Sequence, residues 1–174
     1  MNQITTAMIL AAGRGERLKP ITDHTPKPLV DVGGETLLQR HLQRLKQAGI
    51  ERIVINVAYL HEKIIAAAQN MPLDGIELHF SEELSGSLET AGGILQALPL
   101  IDAEQFLVVN ADIWTDFDFS TVLRSTVQDS LAHLVMVDTP VEKQSNDFYL
   151  DDTGRLNSQG VGKGLTFSGI SLLR

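Results

Sequence analysis

The sequence predicts a three-layer α/β fold, a mostly parallel sheet with helices on both faces. Three observations predict it. Short apolar runs recur along the chain, helical patterns separate them, and 174 residues at 43% hydrophobic content suffice for one compact domain. A chain of this size buries roughly 70% of its unfolded surface. Strands that alternate with helices pair in parallel, because each crossover must pass over a face of the sheet.

The strand runs are residues 5–11, 52–57, 76–80, 106–110 and 131–137, and a further apolar run covers residues 165–173. Each combines β-branched and other apolar residues at strand length. Between the first two runs, Leu38, Leu42 and Leu45 recur at i, i+4 and i+7, with Thr36 placed to cap the start and Gly49 just past the end. That pattern is an amphipathic helix. Residues 60–69 and 90–98 read as further helices, and residues 120–130 as a weaker one. Residues 139–164 mix Pro140, a polar stretch and the glycines 154, 160, 162 and 164, which fits a mobile hairpin or lid near the ligand and equally an ordinary surface excursion. No repeat, low-complexity tract or linker divides the chain.

Composition narrows the function. No apolar run reaches the roughly 18 residues of a membrane span, and the first run leads into a glycine turn rather than a cleavage site. The expectation is a cytoplasmic protein with no membrane partner. The chain has no cysteine, which excludes a disulfide framework and a thiolate metal site. A net charge of −8 argues against a nucleic-acid partner, since phosphate backbones are bound by an excess of Lys and Arg on one face. The first 27 residues are the local exception: Arg14, Arg17, Lys19 and Lys27 are opposed there only by Glu16 and Asp23. One basic loop on an acidic protein suits a small phosphorylated ligand. The histidines, at 24, 41, 61, 79 and 133, lack metal-ligand spacing and receive no role.

The first strand runs straight into Leu10-Ala11-Ala12-Gly13-Arg14-Gly15-Glu16-Arg17-Leu18, and Pro26-Lys27-Pro28-Leu29 follows. Small residues at Ala11, Ala12, Gly13 and Gly15 let the backbone approach a nucleotide and turn its N–H groups toward phosphate oxygens. Arg17 offers a planar fork, and Lys27, held between two prolines, offers a point charge on a restrained backbone. The dinucleotide fingerprint would need a third glycine where Leu18 stands, and no Gly-x-x-x-x-Gly-Lys-Ser/Thr motif occurs.

This glycine loop with the later Pro-Lys-Pro-Leu resembles the N-terminal signature of sugar-1-phosphate nucleotidyltransferases. The resemblance implies a Rossmann-like domain of the nucleotide-diphospho-sugar transferase type. It implies that Arg17 and Lys27 contact the triphosphate and sugar phosphate as catalytic residues, and that Gly15 and Glu16 contact the triphosphate through their backbone. Leu10, Ala11, Ala12 and Gly13 complete the nucleotide loop.

Leu88-Glu89-Thr90-Ala91-Gly92-Gly93-Ile94 resembles the family's Leu-Gly-Thr-Ala-Gly segment, which forms the base pocket and assigns Thr90 and Gly92 to the nucleotide. Glu89 replaces the usual glycine, and Ser87 stands where proline is common. Read by itself, the segment is also a helix start with Thr90 as cap. Phe106 to Asp112 is a buried strand ending in a carboxylate at the sheet edge where α/β folds bind ligands. Taken alone, Asp112 reads as a turn residue after the strand; with the other motifs it is the candidate ligand for Mg²⁺, which takes few protein carboxylates beside phosphate oxygens and water. Ala111 stands in place of the family's glycine, and Asn110 is a candidate sugar contact.

Residues 110–119, 131–138, 147–148 and 165–171 resemble one branch in particular, the enzymes that join UMP to N-acetylmuramate 1-phosphate in peptidoglycan recycling. By that resemblance Asn146 occupies the position of a sugar-contacting glycine. The resemblance also implies a second metal-binding aspartate in a later Trp-x-Asp-x-Gly-type segment. The expectation is therefore one nucleotidyltransferase domain over residues 1–174 without the family's C-terminal segment. Partners are a nucleoside triphosphate and a sugar 1-phosphate. Motifs alone leave open GTP with mannose 1-phosphate, dTTP or UTP with glucose 1-phosphate, and a silent nucleotide-sugar-binding regulator.

Overall fold

The computed structural model describes residues 3–84, 86, 88–124, 130–160 and 162–174. In chain order the elements are β1 (Thr6–Leu10), α1 (Leu37–Gln47), β2 (Arg52–Val57), α2 (His61–Gln69), β3 (Glu77–Glu82), α3 (Glu89–Ile101), β4 (Phe106–Asn110), α4 (Phe119–Leu123), β5 (Ala132–Asp138), β6 (Phe148–Leu150), β7 (Leu156–Asn157) and β8 (Lys163–Leu173). The sheet order is β3-β2-β1-β4-β8-β6-β7, with β5 paired to β8.

The first four strands form the parallel core, β1 lying between β2 and β4. Successive side chains of a strand point to opposite faces, so these strands must be apolar at every position when both faces are covered. Ile9, Ile53, Ile55, Leu107 and Val109 pack on one face with Leu38, Leu42 and Leu45 of α1 and Ile64 of α2. The intervening Met8, Val54, Phe106 and Val108 pack on the other with Ala97 and Ile101 of α3. Three layers result, as the alternation of runs predicts. Thr36 does cap α1, accepting from the Gln39 N–H at 3.1 Å, and Gly49 takes a left-handed φ of 92° beyond the helix.

The later strands add antiparallel pairing that alternation does not foretell. β8 runs antiparallel to β4 on one side and to β5 on the other. Its register with β5 shifts between Val135 and Met136, leaving Ser168 and Gly169 as an inserted pair. Gly169 has φ 86° and lies against Asn110 and Ile113, so a Cβ there would sit 3.1 Å from Asn110 Nδ2. The bulge bends β8 and continues it into the β6–β7 hairpin.

Boundaries shift from the sequence expectation at β3, where the polar Ser81 and Glu82 join the ladder, and at the end of α3. β3 runs on to Glu82, and α3 continues past residue 98 to Ile101 with Pro99 inside its final turn. Part of the expected helix at 120–130 is α4; its residues 125–129 lie outside the described residues. Among the described residues, no helix is long and apolar enough to cross a membrane.

Candidate active site

Leu10 and Asn110 are register partners at the C-terminal ends of β1 and β4. The loops leaving these ends diverge, one toward residue 29 and the other through Asp112, and a cleft of about 320 Å³ opens between them and the start of α3. Open parallel sheets bind ligands at this edge.

Leu10, Ala11, Ala12, Gly13, Gly15, Glu16, Arg17, Lys27, Thr90, Asn110 and Asp112 all line this one cleft. Gly92 and Asn146 do not line it. Gly92 faces back along α3, where a Cβ would come within 2.9 Å of the Leu88 Cβ. Asn146 is held beyond β8: the Thr139 hydroxyl donates to its Oδ1 at 2.7 Å, and its amide fills the space over Gly164.

The first loop folds back on itself around Gly15. That residue has φ 67°, and a Cβ would lie 2.9 Å from Thr22 Cγ2 and 3.2 Å from Lys27 Cβ. Only glycine takes this conformation without strain and leaves the space. The buried Thr22 hydroxyl donates to the Gly15 carbonyl at 2.9 Å, which pins the return of the chain toward Lys27. Pro26 precedes a short turn at Lys27–Leu29, and Pro28 lies buried within it. Lys27 Nζ then reaches Asp112 Oδ2 at 2.5 Å.

The four cations of this loop divide into two pairs. Arg14 stacks on the Tyr59 ring at 4.8 Å and pairs with Glu16, while Lys19 pairs with the other Glu16 oxygen. The Lys19 hydrogen bond is the main reason that the Glu16 carboxyl ionises below its ordinary value. Arg17 and Lys27 face the cleft, and among the described residues Arg17 makes no hydrogen bond or ion pair. A free guanidinium beside a lysine and a carboxylate suits binding of a polyanion with a divalent counter-ion.

The segment after Asp112 is fastened from below by α1. Arg40 Nε donates to the Thr115 carbonyl at 3.4 Å, His41 Nε2 to Ile113 at 2.9 Å and an Arg44 terminal nitrogen to Phe117 at 2.7 Å. His41 is fully buried, and burial lowers its pKa from 6.5 to about 4, so the neutral ring donates from Nε2. One histidine left without a role in the sequence is thus a fixed strut under the carboxylate loop. Arg40 also stacks on Trp114 at 4.6 Å.

A family model for nucleotidyl transferases matches residues 6–149. The chain belongs to that family. It is 49% identical over 173 residues to the N-acetylmuramate alpha-1-phosphate uridylyltransferase of Neisseria meningitidis serogroup B, covering 97% of this chain and 74% of that protein. It is also 39% identical over 113 residues to the Caulobacter vibrioides protein of the same name, covering 63% of this chain and 47% of that one. Among solved structures, HddC from Yersinia pseudotuberculosis superposes with a TM-score of 0.81 at 28% identity, over 98% of this chain and 76% of that chain, and another structure of HddC is a complex with GMP-PN.

Within this nucleotidyl transferase fold, Leu18, Pro28 and Ala111 also line the cleft, as do two polar residues that the motifs do not assign to it. Asn56, at the cleft end of β2, lines the cleft, and Glu89 lines it with a left-handed φ of 60°. Asn56 is a polar residue inside the run 53–57, and that local pattern alone gives it no role. The backbone at Glu89 explains the family's glycine, which takes positive φ without strain. Thr90 is not the cap of α3; that position is Leu88, without a side-chain hydrogen bond.

Asp112 offers one partly exposed carboxylate, and no group of three His, Cys, Asp or Glu side chains surrounds it among the described residues. This donor set fits Mg²⁺ held mainly by phosphate and water, and does not fit a cage of protein ligands.

Proposed function

We propose that the chain is a Mg²⁺-dependent enzyme transferring UMP from UTP to N-acetylmuramate 1-phosphate, giving UDP-N-acetylmuramate and pyrophosphate in the cytoplasm, as part of peptidoglycan recycling. The described fold serves as one nucleotidyltransferase domain. The observation that carries this reading is the convergence of Arg17, Lys27 and Asp112 on one cleft, in a chain 49% identical to a relative of that name.

In the reaction, a phosphate oxygen of the sugar phosphate bonds to the α-phosphorus of UTP as the bond to the bridging oxygen breaks, and pyrophosphate leaves. No enzyme nucleophile is needed. The work is positioning and charge neutralisation. Backbone N–H groups of the loop through Gly15 and Glu16 receive the triphosphate, with Leu10, Ala11, Ala12 and Gly13 as its floor. Arg17 grips phosphate oxygens, and Lys27 neutralises charge at the transferred group. Thr90 bounds the base side, and Gly92 acts on it through the course of α3. Asn110 receives the sugar, with Asn146 contributing from beyond β8. Asp112 would hold Mg²⁺, which supplies charge neutralisation on the triphosphate.

The test is a panel of nucleoside triphosphates against sugar phosphates, scored by pyrophosphate release with and without chelator. UTP with N-acetylmuramate 1-phosphate should be the best pair, and chelator should abolish release. A preference for GTP with mannose 1-phosphate, or for dTTP or UTP with glucose 1-phosphate, would correct the substrate. Tight UTP binding without turnover on any pair would make the chain a regulator.

A further inference from the structure

Two buried polar side chains, each 3% exposed, meet at the cleft: Asn56, which lines it, and Glu83 behind Asn56. The Ala11 N–H donates to Asn56 Oδ1 at 2.8 Å, Asn56 Nδ2 donates to Glu83 Oε1 at 2.8 Å, and the Leu88 N–H donates to Glu83 Oε2 at 2.7 Å. Chemistry fixes the direction of every bond. A backbone N–H can only donate, so the amide atom facing Ala11 is the oxygen; the nitrogen then needs an acceptor, and the second carboxyl oxygen must accept from Leu88. Any other arrangement leaves a buried donor unmatched. Gly93 supplies the room, since a Cβ there would lie 2.6 Å from Glu83 Oε1 and 2.7 Å from Asn56 Nδ2.

The two ends of this relay belong to opposite walls of the cleft. Ala11 opens the loop that turns toward Arg17, and Leu88 immediately precedes the wall residues Glu89 and Thr90. We propose that Glu83 is a positioning residue: acting through Asn56, it holds the loop after β1 and the entry to α3 at one spacing, and that spacing sets the affinity for the nucleotide. Apolar packing tolerates sliding, whereas a relay of directional bonds does not. The proposal rests on the reading of the cleft as a nucleoside triphosphate site.

A polarity swap tests it. Calorimetry with UTP and Mg²⁺, amide proton shifts of Ala11 and Leu88, and thermal melts are compared across wild type, Glu83→Gln, Asn56→Asp and the double variant. Glu83→Gln sets an NH₂ group against either Asn56 Nδ2 or the Leu88 N–H, and should weaken UTP binding on the order of tenfold. Asn56→Asp sets carboxylate against carboxylate and should weaken it at least as much. In the double variant the new carboxylate at position 56 accepts from Ala11 and from the new amide at position 83, whose oxygen accepts from Leu88. All three bonds return with the middle one reversed, so affinity should recover to within about threefold of wild type, with the Ala11 and Leu88 amide shifts restored. Single variants that bind UTP like wild type, or a double variant no better than the weaker single, overturn the proposal. Wild type that binds no nucleoside triphosphate overturns the nucleotide reading and the affinity claim with it. Amide shifts that fail to return in the double variant overturn the relay alone.

Discussion

Lys27 Nζ and Asp112 Oδ2 meet at 2.5 Å across the cleft, joining two loops 85 residues apart in the chain. With side chains 24% and 41% exposed, the pair is well solvated, and such pairs contribute at most about 1 kcal/mol to stability. Under the proposed function its significance is chemical: the lysine would meet a phosphate and the carboxylate the counter-ion that enters with it.

Lys27→Ala should therefore separate stability from activity. The melting temperature should change little, while kcat for nucleotidyl transfer falls by roughly 10²- to 10³-fold. A melt and a steady-state pyrophosphate assay on one preparation decide it; near-normal turnover would remove Lys27 from the mechanism.

Arg17→Ala should act on binding. Arg17 makes no hydrogen bond or ion pair among the described residues, so its loss costs the fold little. Loss of a charge-assisted hydrogen bond should weaken UTP binding by roughly 10- to 100-fold. Calorimetry reads this directly, and unchanged affinity would place the triphosphate elsewhere.

Asp112→Asn keeps an acceptor for Lys27 and removes the charge. The Mg²⁺ concentration for half-maximal rate should rise at least about tenfold, since cation affinity follows the charge of its oxygen ligands. A magnesium titration of wild type and variant checks it, and superimposable curves would exclude Asp112 as the cation's anchor.

His41 makes stability depend on pH. Its folded pKa of about 4 lies below the ordinary 6.5, so the unfolded chain binds the extra proton first. Stability from this residue is complete above pH 6.5 and is lost as pH falls toward 4, by about 3 kcal/mol at full protonation. Urea unfolding between pH 7 and pH 4 should show the loss, with a flatter profile for His41→Asn. Parallel profiles would contradict the neutral buried ring.

The parallel core was legible because burial on both faces forces continuous apolar runs, and the basic loop because glycines, prolines and cations cluster there. Arg17, Lys27 and Asp112 could be nominated from local pattern, and the fold does bring them together. Asn56 and Glu83 could not be found this way. Asn56 stands one residue before the end of β2 and Glu83 one residue after β3, and the meaning of each comes from partners in other parts of the chain. His41 was hidden in the same manner, since helical periodicity counts it as one more position on the buried face of α1. Asn146 and Gly92 show the converse, being motif positions that do not themselves line the cleft.

The bulge at Gly169 carries a consequence for biosynthesis. Asn110 rests against a strand that is translated after every described residue lining the cleft, and β4 lacks a partner along that edge until β8 pairs with it. A ribosome-bound chain can fold its glycine loop early, yet Asn110 meets its neighbour at Gly169 only once β8 has left the exit tunnel.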